Sequence, residues 1–265
     1  MSRLPSFSMV VLTALLITAC ATSPMGRSQL MIFPEQILSQ QGEMAFADIK
    51  KNAPISTSRR TRRYVSCVTN ALLNAMGEKP AEWEVVVFAG RERNAFALPG
   101  KKIGVYKGIL KAATNQHMLA AVIGHEIAHV QAGHGNERMS ASLVSGLGLK
   151  AVELMASDSR DGKGLDRNVQ TALNLGIEYG ILKPYSRSHE SEADLMGLKL
   201  MAKAGFKPEQ SVVLWQNMAR LSENQPLEFL STHPSSDTRI EDLRKLIPSV
   251  MPLYRAVGRK PRCRR

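Results

Sequence analysis

The chain has few cysteines, no long apolar run and no internal repeat. Two of its three cysteines, Cys67 and Cys263, lie outside the spacing of cysteine ligands in metal sites, which excludes a cysteine-ligated metal centre. The apolar run at 9–17 is too short to span a bilayer, and the small apolar stretch at 139–156 is too short and too charged. The lack of repeats excludes a solenoid, so the composition fits one domain with a real core.

Acidic residues are scarce relative to basic ones. The chain has 23 Asp and Glu residues against 35 Lys and Arg residues, and its formal net charge is +12. The basic residues cluster at 59–63 and at 259–265. Since no nucleic-acid-binding signature accompanies these clusters, we expect no nucleic-acid partner. Anionic lipid headgroups or acidic proteins remain as partners, and a solvated basic surface without any partner is the alternative.

Histidine is also rare, yet two of the six histidines stand four residues apart in His125-Glu-Ile-Ala-His129. On a helix this spacing places both imidazoles on one face, where each can bind the same metal ion. Glu126 then lies beside the ligands, where zinc peptidases need a general base. The helix is predicted to end at Gly133 and Gly135, and a chance match to this short pattern is the alternative. Apolar residues at helical spacing support the helix: Met118, Leu119, Val122, Ile123 and Ile127.

Two histidines leave a catalytic zinc site one ligand short. His134 is the nearest candidate, but the metzincin pattern needs glycine at position 132 and histidine at position 135, so that class is excluded. Further along, Glu190 and Asp194 are four residues apart and share a helix face, whereas Glu192 points roughly 160 to 200° away from both. One of the paired carboxylates can ligate while the other orients a ligand histidine. Acidic residues also simply favour helix N-termini, and spacing alone leaves this choice open.

Four motifs occur in order along the chain. They are Asn-Ala-Phe-Ala-Leu-Pro-Gly at 94–100, His-Glu-Ile-Ala-His at 125–129, Glu-Ser-Glu-Ala-Asp at 190–194, and Thr-His-Pro at 232–234 with Arg239 behind it. Together they resemble the gluzincin family of CAAX prenyl proteases and HtpX-like peptidases, and most of all its branch of periplasmic outer-membrane lipoproteins. The similarity extends from about position 33 to about position 246, and four motifs in order are more specific than any one of them.

The resemblance implies a zinc metalloendopeptidase with one Zn²⁺ per chain. The implied metal ligands are His125, His129 and Glu190. The implied catalytic residues are Glu126 as general base, Asp194 as a supporting acid, and His233 near the metal. His233 either stabilises the oxyanion of the reaction or occupies the open metal position and keeps the enzyme latent; the sequence leaves both open.

The implied fold is α+β, a mostly helical zincin-type metallopeptidase domain with a small β-sheet whose edge strand flanks the active-site helix. The motif at 94–100 is implied to be this edge strand and its turn, where an extended substrate peptide could bind; an ordinary hairpin is the alternative. The stretch 139–166 is either a lid over the site or a packed helix followed by a surface loop. Periodicity predicts strands at 83–88 and 103–106, and further helices at 34–51, 59–76, 167–182, 190–204, 208–223 and 235–246.

The N-terminus indicates export. Residues 1–19 combine one early basic residue with a short apolar core, as in a signal peptide. Ile-Thr-Ala-Cys at 17–20 resembles a bacterial lipobox, which implies acylation of Cys20; an ordinary signal peptide with an incidental cysteine is the alternative. Position 21 is Ala rather than Asp, which by resemblance to Gram-negative lipoproteins favours the outer membrane, with the domain on the periplasmic side. The small, polar residues 21–28 are predicted to form a tether.

In an oxidising compartment, Cys67 and Cys263 are candidates for a disulfide, with two free or separately paired thiols as the alternative. The expected domain boundaries follow from these segments. They are 1–19 for the signal peptide, 20–32 for the lipidated N-terminus and tether, 33–250 for the zinc metallopeptidase domain, and 251–265 for a basic C-terminal tail.

The function we expect is hydrolysis of peptide bonds in misfolded or unassembled envelope proteins, a form of protein quality control, by an enzyme that its N-terminal lipid anchors to the membrane. A chaperone-like assembly factor with little proteolytic activity is one alternative. A binding module with a structural zinc ion is another, but a structural site would not need a base at Glu126.

Overall fold

A computed structural model of the chain describes residues 20–156, 185–222, 228–233 and 237–265. The predicted signal peptide at 1–19, the loop at 157–166 and the helix at 167–182 lie outside the described residues. No helix within those ranges is both long and apolar enough to cross a membrane.

Most of the described helices and strands agree with the predicted ones. The predicted helices at 34–51, 59–76, 190–204 and 208–223 are confirmed to within three residues at each end. The strands are β1 (Cys20–Thr22), β2 (Ser28–Leu30), β3 (Glu84–Phe88), β4 (Ala95–Leu98) and β5 (Lys102–Tyr106). The helices are α1 (Glu35–Asn52), α2 (Arg59–Ala75), α3 (Gln116–Gln131), α4 (His134–Ala156), α5 (Arg187–Lys203), α6 (Gln210–Ser222), α7 (Glu228–Thr232) and α8 (Asp237–Ala256).

A three-stranded sheet lies on one side of α3. Its strand order is β3-β5-β4, with β3 parallel and β4 antiparallel to β5. The tight turn between β4 and β5 contains Gly100 and Lys101, both at positive φ. Because β4 is at the edge of this sheet and packs against α3, the predicted edge strand beside the active-site helix is confirmed. The predicted α+β class is confirmed with it.

Helix α3 is the centre of the core, and every residue from Met118 to His129 is buried. It is enclosed because it is apolar on nearly all sides, and α2, α5, α6 and β4 pack around it. Its N-terminus is capped by Asn115, whose side-chain oxygen accepts hydrogen bonds from two backbone N–H groups at 2.9 and 3.0 Å. Gly133, at φ 68°, ends the helix as predicted. The second predicted stop is wrong, because Gly135 lies inside α4 and one left-handed residue suffices to end α3.

Helices α3 and α5 cross at two glycines. A β-carbon on Gly197 would lie 2.9 Å from the backbone nitrogen of His125, and one on Gly124 would lie 3.2 Å from the carbonyl oxygen of Gly197. Gly124 is therefore in the helix for close packing, at a cost in helix propensity. This contact fixes the distance between the two helices that carry the predicted metal ligands.

The N-terminal segment is not a free tether, which corrects the prediction for 21–28. β1 pairs with β2 in an antiparallel hairpin, and Gly26 makes its turn at φ 87°. The chain after the hairpin docks on α4, where Ser140 accepts a hydrogen bond from the backbone of Ile32 at 2.9 Å and Asn136 donates one to Phe33 at 2.8 Å. Short polar strands carry little periodicity, so these long-range contacts were not visible in the sequence.

The C-terminal boundary also needs correction. The helix predicted at 235–246 is α8, which continues to Ala256 through Pro248 and Pro252, so the predicted domain end at 250 falls inside a helix. Prolines disfavour a helix interior, but the burial of Val250 outweighs that preference. The residues after α8 pack on the domain as well. Gln116 on α3 accepts a hydrogen bond from the backbone of Cys263 at 2.7 Å, and Cys263 is disulfide-bonded to Cys67 on α2.

The apolar stretch at 139–156 belongs to α4, which begins at His134 directly after the turn that ends α3. Its first turns pack on the N-terminal hairpin, and Ser140 is fully buried there. This agrees with the packed-helix alternative for that stretch. The remainder of the predicted lid lies outside the described residues.

Candidate metal centre

Two crossing helices bring the predicted ligands together. His125 and His129 extend from one face of α3, and Glu190 extends from the first turn of α5, which Ser186 caps. The Nε2 atoms of the two histidines are 3.0 Å apart. The Glu190 carboxylate oxygens lie 3.4 Å from His125 Nε2 and 3.5 Å from His129 Nε2. All three side chains are buried.

His233 brings a fourth donor atom into this group. Its Nδ1 lies 3.2 Å from His125 Nε2 and 2.9 Å from a carboxylate oxygen of Glu190. The residue follows α7 directly, and its backbone N–H donates to the Phe229 carbonyl at 2.9 Å. The His233 ring stacks on Phe229, with ring centroids 4.5 Å apart. These contacts orient the ring toward the other three donors.

The donor set fits zinc by chemistry and by distance. Zinc binds imidazole nitrogen and carboxylate oxygen at about 2.0 to 2.2 Å in a tetrahedron, so neighbouring donor atoms should lie about 3.3 Å apart. The donor atoms of His125, His129, Glu190 and His233 lie within 4.8 Å of one another, and the separations given above run from 2.9 to 3.5 Å. His134, which the spacing argument rejected, is outside this group.

Glu126 is buried beside the donor group. One of its carboxylate oxygens lies 3.3 Å from His233 Nε2, on the side of that ring away from the donor cluster. No described side chain or backbone group donates a hydrogen bond to this oxygen. Burial raises the pKa of the Glu126 carboxyl above its usual value. The environment therefore favours proton uptake by this carboxylate.

Asp194 on α5 and Arg239 on α8 support the site. Asp194 lies 3.1 Å from His125 Nδ1, the nitrogen that faces away from the donor group. Arg239 donates to both Asp194 oxygens at 2.5 and 2.8 Å, and its guanidinium lies 3.8 Å from the Trp215 ring centroid. This agrees with the predicted role of Asp194 as the acid that orients a ligand histidine.

Charges around the donors set their protonation. Burial lowers the pKa of His125, but hydrogen bonds to Asp194 and Glu190 outweigh it and raise that pKa to about 9. Burial lowers the pKa of His129 well below its usual value, which keeps its imidazole neutral for ligation. Burial would raise the pKa of Glu190, but hydrogen bonds from His125 and His233 hold it well below its usual range.

Sequence reasoning missed two aromatic and cationic contacts at the site. The Tyr185 ring stacks on His129 with centroids 3.9 Å apart. The guanidinium of Arg138, on α4, lies 3.8 Å from the centroid of the Tyr185 ring. Tyr185 stands just before α5 and outside every motif. The position of Tyr185, one residue before the cap of the ligand-bearing helix, is the only hint that the sequence offers.

Comparison with known families decides the identity of this fold and site. The model of peptidase family M48 matches residues 59–247, most of the chain. This chain belongs to peptidase family M48. The members of the family are zinc metallopeptidases, in agreement with the donor set found here.

Relatives within family M48 come from mitochondria and from bacteria. The chain is 35% identical over 190 residues to the mitochondrial metalloendopeptidase OMA1 of Schizosaccharomyces pombe, over 71% of this chain and 53% of that protein. It is 29% identical over 197 residues to metalloprotease LoiP of Escherichia coli, over 74% of each chain. It is 25% identical over 228 residues to the beta-barrel assembly-enhancing protease of Yersinia pestis, over 81% of this chain and 46% of that protein. The chain spans about half the length of the OMA1 relatives.

Proposed function

We propose that this protein is a zinc-dependent metalloendopeptidase. The observation that carries the proposal is the buried donor group of His125, His129 and Glu190 with the Glu126 carboxylate beside it. A structural zinc site has no need of a further buried carboxylate next to its ligands. The family, in which peptidases use zinc, points the same way.

In this proposal the protein's own residues position the substrate and move one proton. Zinc at the site supplies a Lewis acid that polarises the scissile carbonyl and acidifies water. Glu126 accepts the proton of the attacking water and passes it to the leaving nitrogen, a role suited to a carboxylate whose pKa burial raises. No described strand pairs with the outer edge of β4, so an extended peptide has free backbone groups to bind beside α3.

We assign His233 to the closed state of the site rather than to oxyanion binding. Its Nδ1 stands among the donor atoms, and its Nε2 faces Glu126. An imidazole in this position would compete with substrate for the metal. It also contacts the carboxylate of Glu126, the proposed general base. Substrate binding would then require His233 to move away, which makes the enzyme latent until a suitable polypeptide displaces the ring. The same closure favours, as a second candidate, a chaperone-like assembly factor with little proteolysis.

The cellular role we propose is quality control of misfolded or unassembled envelope proteins by an enzyme anchored through lipid at Cys20, on the periplasmic side of the outer membrane. The lipobox-like residues at 17–20 support this location. So does the bond between Cys67 and Cys263, since disulfides persist in oxidising compartments. Similarity to LoiP and to a beta-barrel assembly-enhancing protease supports a bacterial envelope role, whereas the OMA1 relatives bear a mitochondrial name.

The test is digestion of an unfolded model protein by the detergent-solubilised full chain beside the Glu126→Gln variant, with zinc content measured for both. We expect zinc in both and a loss of activity of about 10²- to 10⁴-fold in the variant, the usual contribution of a general base. Equal cleavage by the two proteins would remove Glu126 from the mechanism. If both bind zinc and neither cleaves, His233→Ala is the next sample, and its failure to cleave would favour the chaperone-like function.

A further inference from the structure

A line of hydrogen-bonding side chains joins the N-terminal hairpin to the metal-binding group. His129 Nδ1 lies 2.8 Å from His134 Nδ1, and His134 Nε2 lies 3.2 Å from a carboxylate oxygen of Glu192. Arg27, in the hairpin, donates from Nε to the same Glu192 oxygen at 3.1 Å. His134, Glu192 and Arg27 all lie outside the donor group itself.

The protons along this line have one consistent arrangement. If His129 binds metal through Nε2, its ring proton is on Nδ1, so His129 donates to His134 Nδ1. His134 then carries its own proton on Nε2 and donates to Glu192, a carboxylate that only accepts. In this arrangement His134 accepts a hydrogen bond at Nδ1 and donates one from Nε2. Both hydrogen bonds favour the tautomer of His129 that can bind a metal through Nε2.

The hairpin fixes the carboxylate at the far end of the line. The backbone N–H of Met25 donates to the second Glu192 oxygen at 3.3 Å. Arg27 also forms a two-pronged ion pair with Glu137 on α4, with both distances at 2.7 Å. Arg27 thus connects α4 to α5 through one guanidinium. Burial opposes ionisation of Glu192, but hydrogen bonds from Ser23, His134 and Arg27 lower its pKa below the usual value.

A purely structural role for His134 explains less of this geometry. A core histidine needs partners for its two nitrogens but has no reason to choose a metal-binding imidazole as one of them. His134 is fully buried, and its ring stacks on His189 at 4.3 Å, so its orientation is fixed before any metal binds. Fixed partners of this kind are what hold metal-binding histidines in the correct rotamer and tautomer.

We propose that His134 is a positioning residue for His129, and that the N-terminal hairpin holds it in place through Arg27 and Glu192. The inference rests on the proposed zinc site and deepens it. In this view the segment directly after Cys20, the proposed point of lipid attachment, is part of the support of the metal centre rather than a spacer.

The test is the affinity of the full chain in detergent for zinc, measured by competition with a chelator. For His134→Ala we expect zinc binding weaker by about 10- to 100-fold, the usual effect of losing such a partner. For Arg27→Ala, which acts through Glu192, we expect a smaller loss of about 3- to 10-fold. His134→Gln should recover most of the affinity, because its amide can accept from His129 and donate to Glu192. Lys50→Ala is the matched control for Arg27→Ala. Lys50 lies on α1, and its replacement removes a partly exposed ion pair with Glu84.

The melting temperature of the zinc-free proteins separates positioning from folding. A lower melting temperature for His134→Ala with zinc affinity within twofold of wild type would overturn the proposal. If His134→Ala does not fold, Glu192→Gln takes its place, and the same two results decide. Since the readout is zinc binding, a wild-type protein that binds zinc without cleaving would count against the proposed peptidase function and leave this inference standing.

Discussion

The two proposed ligand histidines of α3 are held by different parts of the molecule. His125 is supported from the C-terminal side, where Asp194 contacts it directly and Arg239 holds Asp194 from a position that is 7% exposed. His129 is supported from the N-terminal side, through His134 and Glu192 to Arg27, whose side chain is 26% exposed. Both sides end in an arginine paired with carboxylates. Because Arg239 is more deeply buried than Arg27, we expect the contacts that support His125 to be rigid and those that support His129 to be disrupted more easily.

The largest effect should come from the buried arginine. Arg239→Ala leaves the carboxylates of Asp194 and Glu190 buried without their cation, which we expect to destabilise the fold by about 3 to 5 kcal/mol. Urea unfolding at pH 7 measures this difference. Lys245→Ala, on the same helix and in an exposed pair with Asp242, is the control and should change stability by less than about 1 kcal/mol. Similar values for both variants would remove the distinction between a buried and a superficial support.

A smaller effect is expected at the crossing of α3 and α5. Gly197→Ala places a methyl group about 3 Å from the backbone of α3, and overpacking of this kind costs roughly 1 to 3 kcal/mol. It should also weaken zinc binding, because Glu190 moves relative to His125. In Gly135→Ala, in α4, the added methyl group meets no atom within 4 Å apart from those of its own helix backbone and chain neighbours, so the change should be neutral or slightly stabilising. Unfolding curves and zinc titrations of both variants check this, and an unchanged zinc affinity in Gly197→Ala would contradict the role of the crossing.

The smallest effect on stability should come from the hairpin arginine, and it should depend on pH. Arg27→Ala removes ion pairs in which the arginine is partly exposed, and the buried Glu192 keeps its contacts with Met25 and His134, so the change should cost about 1 kcal/mol or less at pH 7. Burial opposes ionisation of Glu137, but the hydrogen bond from Arg27 lowers its pKa below 4.5 in the folded protein. A lowered carboxylate pKa stabilises the fold above the unfolded value near 4.5 and loses that contribution as pH falls through the folded value.

The stability difference between wild type and Arg27→Ala should therefore shrink as the pH is lowered from 7 to below 4. Urea unfolding at several pH values follows it. A difference that stays constant across this range would mean that Arg27 acts through packing rather than charge.

The same comparison separates what the sequence reveals from what it hides. The spacing of His125 and His129 and the apolar pattern around them predict α3, because a buried helix has apolar residues at regular, local spacing in the sequence. The choice of Glu190 over its neighbours came from resemblance to a family, since spacing alone did not decide it. Glu192, which was predicted to point away from the pair Glu190 and Asp194, lies outside the donor group and contacts His134.

The partners of Glu192 could not be predicted, because they lie about 60 and 165 residues away in the chain, at His134 and Arg27. Side-chain contacts over such separations leave no local period in the sequence. The free tether at 21–28 and the domain end at 250 were predicted from local preference, whereas the hairpin contacts Glu192 on α5 and α8 continues through two prolines. In both places tertiary packing outweighs the local preference for a turn or a helix end.

The most direct test of a metal centre with two supported histidines is X-ray absorption at the zinc edge of the purified full chain. The account predicts about one zinc ion per chain with only nitrogen and oxygen ligands, at about 2.0 to 2.2 Å, and imidazole scattering from at least two histidines. The absence of bound zinc, or zinc with sulfur ligands near about 2.3 Å, would contradict it.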